Sequence, residues 1–261
     1  MISRNIPIIE TAVFKYFFRP WMNYKKGNIT LTGFEKIPEG NSVVFLFEKY
    51  NRIEFMHFLH AMYKNDKLRY TIPAVPSSED NTISSFPLRC CPDLTVPSLG
   101  KFISEYFESI VARPPTQSEL NDLRRFLEGR RTDGRNQSMV KGLKASYEAN
   151  FLKEMDSFCG LMKKCAIDKN YNLVLPLSDD RYFSADNQEK AIILKTLSQV
   201  NISVMGVSVE TTGKLPEGYT MTFRIHDSVC ELSQFDIAIL DSSQDRIDTV
   251  YSRIFPEVST K

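Results

Sequence analysis

The stretch SVVFLF, Ser42 to Phe47, runs into EKYN, Glu48 to Asn51, and then RIEFMHFLHAMYK, Arg52 to Lys64. Its reading decides the fold. After Ser42 the first segment is five apolar residues with no alternation, the pattern of a strand buried on both faces, as in parallel sheets. The last segment places Ile53, Met56, Leu59, His60 and Tyr63 along one face of a helix. A buried strand, a short polar turn and an amphipathic helix form the start of an α/β arrangement, in which helices cover a sheet.

Working outward, the same alternation continues. Upstream, Ile29 to Gly33 alternates as a strand, and FEKIPEGN (Phe34 to Asn41) is a turn-rich connection. Downstream, Leu68 to Val75 reads as a strand, Ser77 to Ser98 as a loop, Leu99 to Phe107 as a helix and Ile110 to Ala112 as a short strand closing on Arg113. Pro114, Pro115 and Thr116 cap a helix that runs to about Glu128. After a polar break at Arg130 to Asn136 comes a long helix with Phe151, Met155, Phe158 and Met162 on one stripe. NLVLPL (Asn172 to Leu177) is a strand and Gln188 to Gln199 a helix, and Ile202 to Val209 and Tyr219 to Ile225 are strands. The pattern predicts an α/β fold with a central mixed, largely parallel sheet flanked by helices.

At the front, Ile8 to Phe18 predicts a short amphipathic helix. Ile9, Val13 and Phe17 recur every four residues with Phe14 and Phe18 beside them, and Pro20 ends it. Trp21, Lys25 and Lys26 follow. Such a helix either lies in a membrane interface, with Phe14, Phe17, Phe18 and Trp21 as contacts, or packs on its own domain. The expected organisation is an N-terminal amphipathic segment over 1–28 and an α/β domain over 29–261.

Composition bounds the function. The chain has 261 residues, 42% hydrophobic and 25% charged, ordinary values for a folded chain that exclude disorder. Lys and Arg number 33 against 32 acids, a net charge of +1, so no basic field for nucleic acid covers the molecule. Basic residues do concentrate locally in 1–28 and 113–144, which suits a phosphate-bearing ligand or an anionic membrane surface, and equally a solvated helix face. Five cysteines, Cys90, Cys91, Cys159, Cys165 and Cys230, form no C-x-x-C pair. An odd count with this spacing reads as reduced thiols in a cytoplasmic setting. No segment approaches the roughly 18 apolar residues of a membrane span, so attachment, if any, is peripheral on the inner membrane face. No secretory signal is apparent.

The order of these elements resembles the glycerolipid acyltransferase family, the lysophosphatidic acid acyltransferase group. ITLTGFEKIPEGNSVVFLF (Ile29 to Phe47) resembles the opening that leads into that family's catalytic turn. ESIVAR (Glu108 to Arg113) resembles its second block, an apolar strand ending in arginine. NLVLPLSDD (Asn172 to Asp180) stands in place of the third block, with Pro176 kept and Leu177 and Ser178 where Glu and Gly are usual. ISVMGVSV (Ile202 to Val209) resembles the fourth. The resemblance implies a glycerolipid-acyltransferase-like fold, an acyl-thioester donor as co-substrate with no other cofactor, and Arg113 as a phosphate or acceptor contact.

The chemistry of the first block departs from the family. Its members carry a histidine as general base and, five residues on, an aspartate that holds the imidazole. Here Lys49 and Glu54 occupy those positions. A lysine titrates at about 10.4, so keeping it neutral at pH 7 costs about 4.6 kcal/mol, and the neighbouring Glu48 and Glu54 favour the charged form. Lys49 is therefore expected in an ion pair with Glu54 rather than as a base. His57 lies eight residues beyond Lys49, about 12 Å along a helix, and His57 with His60 lacks a third metal ligand. His226 and Asp227 sit at a strand end and point to opposite faces. No G-x-S-x-G or nucleotide-phosphate motif is present. The expectation is a catalytically degenerate acyltransferase-like protein retained to bind a lipid, an acyl carrier or a protein. The alternatives are a divergent active acyltransferase moving an acyl group from a thioester to a lysophospholipid-like acceptor, and a soluble α/β interaction domain with no lipid link.

Overall fold

The computed structural model describes residues 20, 27–38, 42–49, 51–63, 71–76, 95–97, 99–127, 137–168, 171–177, 194, 197–198, 202–214, 218–227 and 244–256. The expected N-terminal helix, with Phe14, Phe17, Phe18 and Trp21, lies outside these residues, as does Ser178.

In chain order the strands are β1 (Gly27–Thr32), β2 (Val43–Phe47), β3 (Thr71–Pro73), β4 (Val75–Pro76), β5 (Thr95–Val96), β6 (Asn172–Pro176), β7 (Ser203–Lys214) and β8 (Gly218–Ile225). The α-helices are α1 (Arg52–Tyr63), α2 (Leu99–Tyr106), α3 (Gln117–Leu127), α4 (Gln137–Ser146), α5 (Leu152–Lys163) and α6 (Gln244–Ile254). One six-stranded sheet has the order β1-β8-β7-β2-β6-β3, and β4 and β5 form a separate parallel pair. Strand β2 pairs in parallel with β6 and with β7, and β3 pairs in parallel with β6. Strand β8 folds back antiparallel on β7, and β1 runs parallel to β8. The mixed, largely parallel α/β sheet expected from the sequence is the observed one.

The apolar run of β2 is explained by its position. All five residues are buried, because β2 has a strand on each side and helices on both faces. Val43, Phe45 and Phe47 point toward α1, where Phe47 packs on Phe55, Phe58 and Phe223 at centroid distances of 4.8, 5.1 and 6.4 Å. Val44 and Leu46 point to the opposite face, into a core with residues of α2, α4, α5 and α6. The strand begins where Asn172 Oδ1 accepts a hydrogen bond from the Val43 amide at 3.0 Å.

Three expectations are corrected. Glu108 to Ala112 is not a strand: α2 continues through a π-helical turn, Phe107–Val111, and stops where Ala112 adopts a left-handed conformation with φ 55°. Only Phe107 is buried there, and Ile110 stands 68% exposed, so the apolar run lacked the buried neighbours a strand requires. The strand placed at Leu68 to Val75 is described only as the short β3 and the start of β4, with 68–70 outside the described residues. Thr95 and Val96, read as loop, form β5. Helix α6 was not foreseen; its Val250 and Ile254, with Phe255 just beyond, fill the core.

Candidate functional site

The last register pair joining β2 to β7 is Phe47 with Val207. The next residues, Glu48 and Ser208, are therefore neighbours at the carboxyl edge of the parallel strands. The chain leaves β2 through α1 toward β3 on one side and leaves β7 toward β8 on the other. Where outgoing connections diverge, an α/β sheet opens a crevice at its carboxyl edge, the usual place for a ligand.

The motif turn sits at this edge. Lys49 is exposed. Asn51 Oδ1 accepts from the amides of Ile53 and Glu54 at 3.0 and 3.4 Å, while its Nδ2 donates to Glu54 Oε1 at 3.0 Å. This is reciprocal capping of the first turn of α1. The carboxylate expected on Lys49 thus carries the Asn51 amide. Burial raises the Glu54 carboxyl above its ordinary range, against the lowering effect of that hydrogen bond.

Around this turn the structure places groups that sequence did not bring together. Burial, with the Glu48 carboxylate beside it, raises the Tyr251 phenol; the Tyr251 ring lies tilted against Phe255 at 5.0 Å. Ser208 Oγ meets His226 Nε2 at 2.5 Å. The His226 amide donates to the Gly206 carbonyl at 3.0 Å, and its ring lies edge-on to Phe255 at 6.3 Å. Asp227 points elsewhere, to Lys36 Nζ at 3.0 Å. The sequence had marked His226 as lying at a strand end. Nothing local ties it to Ser208, because only the β7–β8 register, which pairs Val207 with Ile225, brings residues 18 apart into contact.

His57 lies on the other face of the sheet. The Ile53 carbonyl accepts its Nδ1–H at 2.7 Å, which leaves Nε2 to accept from the Tyr219 hydroxyl. Burial lowers the His57 pKa, outweighing the Ile53 bond that raises it, and burial keeps Tyr219 protonated. Among the described residues no group of three or more His, Cys, Asp or Glu could hold a metal ion.

Arg113 follows the Ala112 turn. Its Nη1 and Nη2 donate to Glu119 Oε2 and Oε1 at 2.9 and 2.7 Å, and Nη1 also reaches the Pro114 carbonyl at 3.0 Å. Glu119 accepts from the Thr116 amide and hydroxyl at 2.8 and 2.9 Å. The Arg113 guanidinium and these bonds bring Glu119 down to about 2. The arginine fork therefore holds the start of α3. From the third block, Pro176 pairs with Phe47 across β6 and β2, and the buried Leu177 donates its amide to the Phe47 carbonyl at 2.8 Å. Both back the motif turn through main-chain contacts.

Cys165 is buried and Cys159 partly so, and neither is in a disulfide. No helix among the described residues is long and apolar enough to cross a membrane. Comparison with protein-family models, with curated proteins and with solved structures finds no match to the chain.

Proposed function

We propose that the chain is an acyltransferase-like protein whose motif turn has lost its base and which is retained to hold a lipid, an acyl carrier or a protein partner. One observation carries this reading. At the carboxyl edge of β2, where the resemblance puts an imidazole held by a carboxylate, Lys49 is exposed and Glu54 is bonded to Asn51 as a helix cap. A lysine is a poor general base at neutral pH, so the position lacks the imidazole that such catalysis uses. The N-terminal segment supplies a peripheral membrane contact through Phe14, Phe17, Phe18 and Trp21 on the inner, cytoplasmic face, and the acyl-thioester is the ligand class.

The test measures acyl transfer from acyl-thioester donors to lysophospholipid acceptors, scoring the lipid product. Wild type is expected to form none above background. A Lys49→His, Glu54→Asp double substitution restores the missing pair and is expected to gain detectable product. Wild-type transfer abolished by Lys49→Ala would reverse the reading in favour of a divergent active acyltransferase.

A further inference from the structure

We propose that Ser208 is an activated nucleophile with His226 as its base, forming a site for acyl esters or thioesters beside the motif turn that does not use Lys49 or Glu54. The inference goes beyond the proposed function and stands whether or not that turn is degenerate.

Four observations carry it. Ser208 Oγ and His226 Nε2 lie at 2.5 Å, within the reach that lets an imidazole take a hydroxyl proton. With the ring proton on Nδ1, the Ser208 hydroxyl donates to Nε2. The base is fixed: His226 is 5% exposed, its amide bonds the Gly206 carbonyl, and its ring packs on Phe255. The nucleophile is only partly buried, so solvent reaches the residue. Finally, Ser208 is the first β7 residue beyond the register pair that ends β2, at the carboxyl edge of that strand. Arg224, exposed on the same face, pairs with Ser208 across the β7–β8 ladder and places a cation beside it.

The reaction balances with water as the only co-reactant. Ser208 Oγ attacks the acyl carbonyl carbon while its proton passes to His226 Nε2. The carbon–sulfur or carbon–oxygen bond breaks, and the leaving thiolate or alkoxide takes the proton from His226. Water then gives its proton to Nε2 and attacks the acyl-serine. Ser208 recovers the proton as the carboxylic acid departs.

The purified full-length chain, incubated with a fluorophosphonate and separately with an activated p-nitrophenyl acyl ester, tests this. Serine oxygen displaces fluoride or nitrophenolate, so intact mass is expected to rise by one adduct, and peptide mapping places it on Ser208. Ser208→Ala is expected to carry no adduct. His226→Gln is expected to label about 10²- to 10⁴-fold more slowly, the span typical of lost general-base help. Wild-type labelling is expected to slow on acidification. Absence of adduct, an adduct on another residue, or a Ser208→Ala chain that labels at the wild-type rate would each overturn the proposal. The wild-type peptide map decides even if a variant fails to fold. Because this readout is a covalent adduct and not a lipid product, its failure is distinct from failure of the proposed function.

Discussion

Glu119 and His57 each tie the stability of the molecule to pH with a definite sign. Glu119 titrates at about 2 in the folded chain because Arg113 and Thr116 bind its charged form. The unfolded carboxyl takes its proton at about 4.3, so the unfolded state binds more protons between these values. Its contribution is therefore complete above the unfolded value and lost as pH falls toward 2. Solvent at the half-exposed Arg113 keeps the contribution modest. Glu119→Gln should lower the urea midpoint at pH 7, and the gap to wild type should narrow by pH 3. His57 behaves similarly in a higher window. Burial depresses its pKa, so the unfolded chain protonates first, at about 6.5. Stability present above that pH declines as pH falls through it toward the folded value. The thermal midpoint of wild type should drop between pH 7 and pH 5, and His57→Gln should flatten that drop. An equal drop in both chains would show that His57 is not the sensor.

At the scale of elements, close backbone approach decides where α6 can sit. A Cβ on Gly206 would lie 2.1 Å from the Ile254 carbonyl oxygen, a backbone atom that cannot swing aside. Gly206→Ala should therefore cost about 1–3 kcal/mol by forcing α6 off the sheet, read as a lower denaturant midpoint, and should loosen Phe255 from His226. Gly33 poses the same demand at the end of β1: its φ is 78°, and a Cβ there would meet the Ile225 carbonyl at 2.1 Å. Elements with strong local patterns were legible in the sequence. The run Val43 to Phe47 and the stripe Phe151, Met155, Phe158, Met162 announce themselves because their periodicity is the periodicity of burial. Ile110 misled for the opposite reason: a short apolar run carries no period, and its helical state follows from the continuation of α2.

On the scale of the whole molecule, the arrangement of the sheet sets which distant segments of the chain meet. The β7–β8 hairpin extends past the end of β2, and β1 completes the edge beyond β8. The N-terminal segment is tested as a peripheral anchor by its effect on membrane binding. Flotation with anionic liposomes should carry wild type and leave a Phe14→Glu, Phe17→Glu double substitution in the dense fraction; equal flotation would remove that segment as the membrane contact. By itself the sequence determined the α/β class, the buried central strand, the capped start of α3 and the absence of a histidine from 48–54, because each depends on residues close along the chain; the Asn51 cap of α1 came only from the structure. Only the tertiary structure decided that Arg113 is engaged by Glu119, that His57 is buried against Tyr219 and that Ser208 meets His226. The last two of these contacts join residues far apart in sequence, and strand register and helix packing, which no local pattern encodes, bring them within bonding distance. The first joins near neighbours, but a bidentate pair forms only once the Ala112 turn aims the guanidinium back at α3.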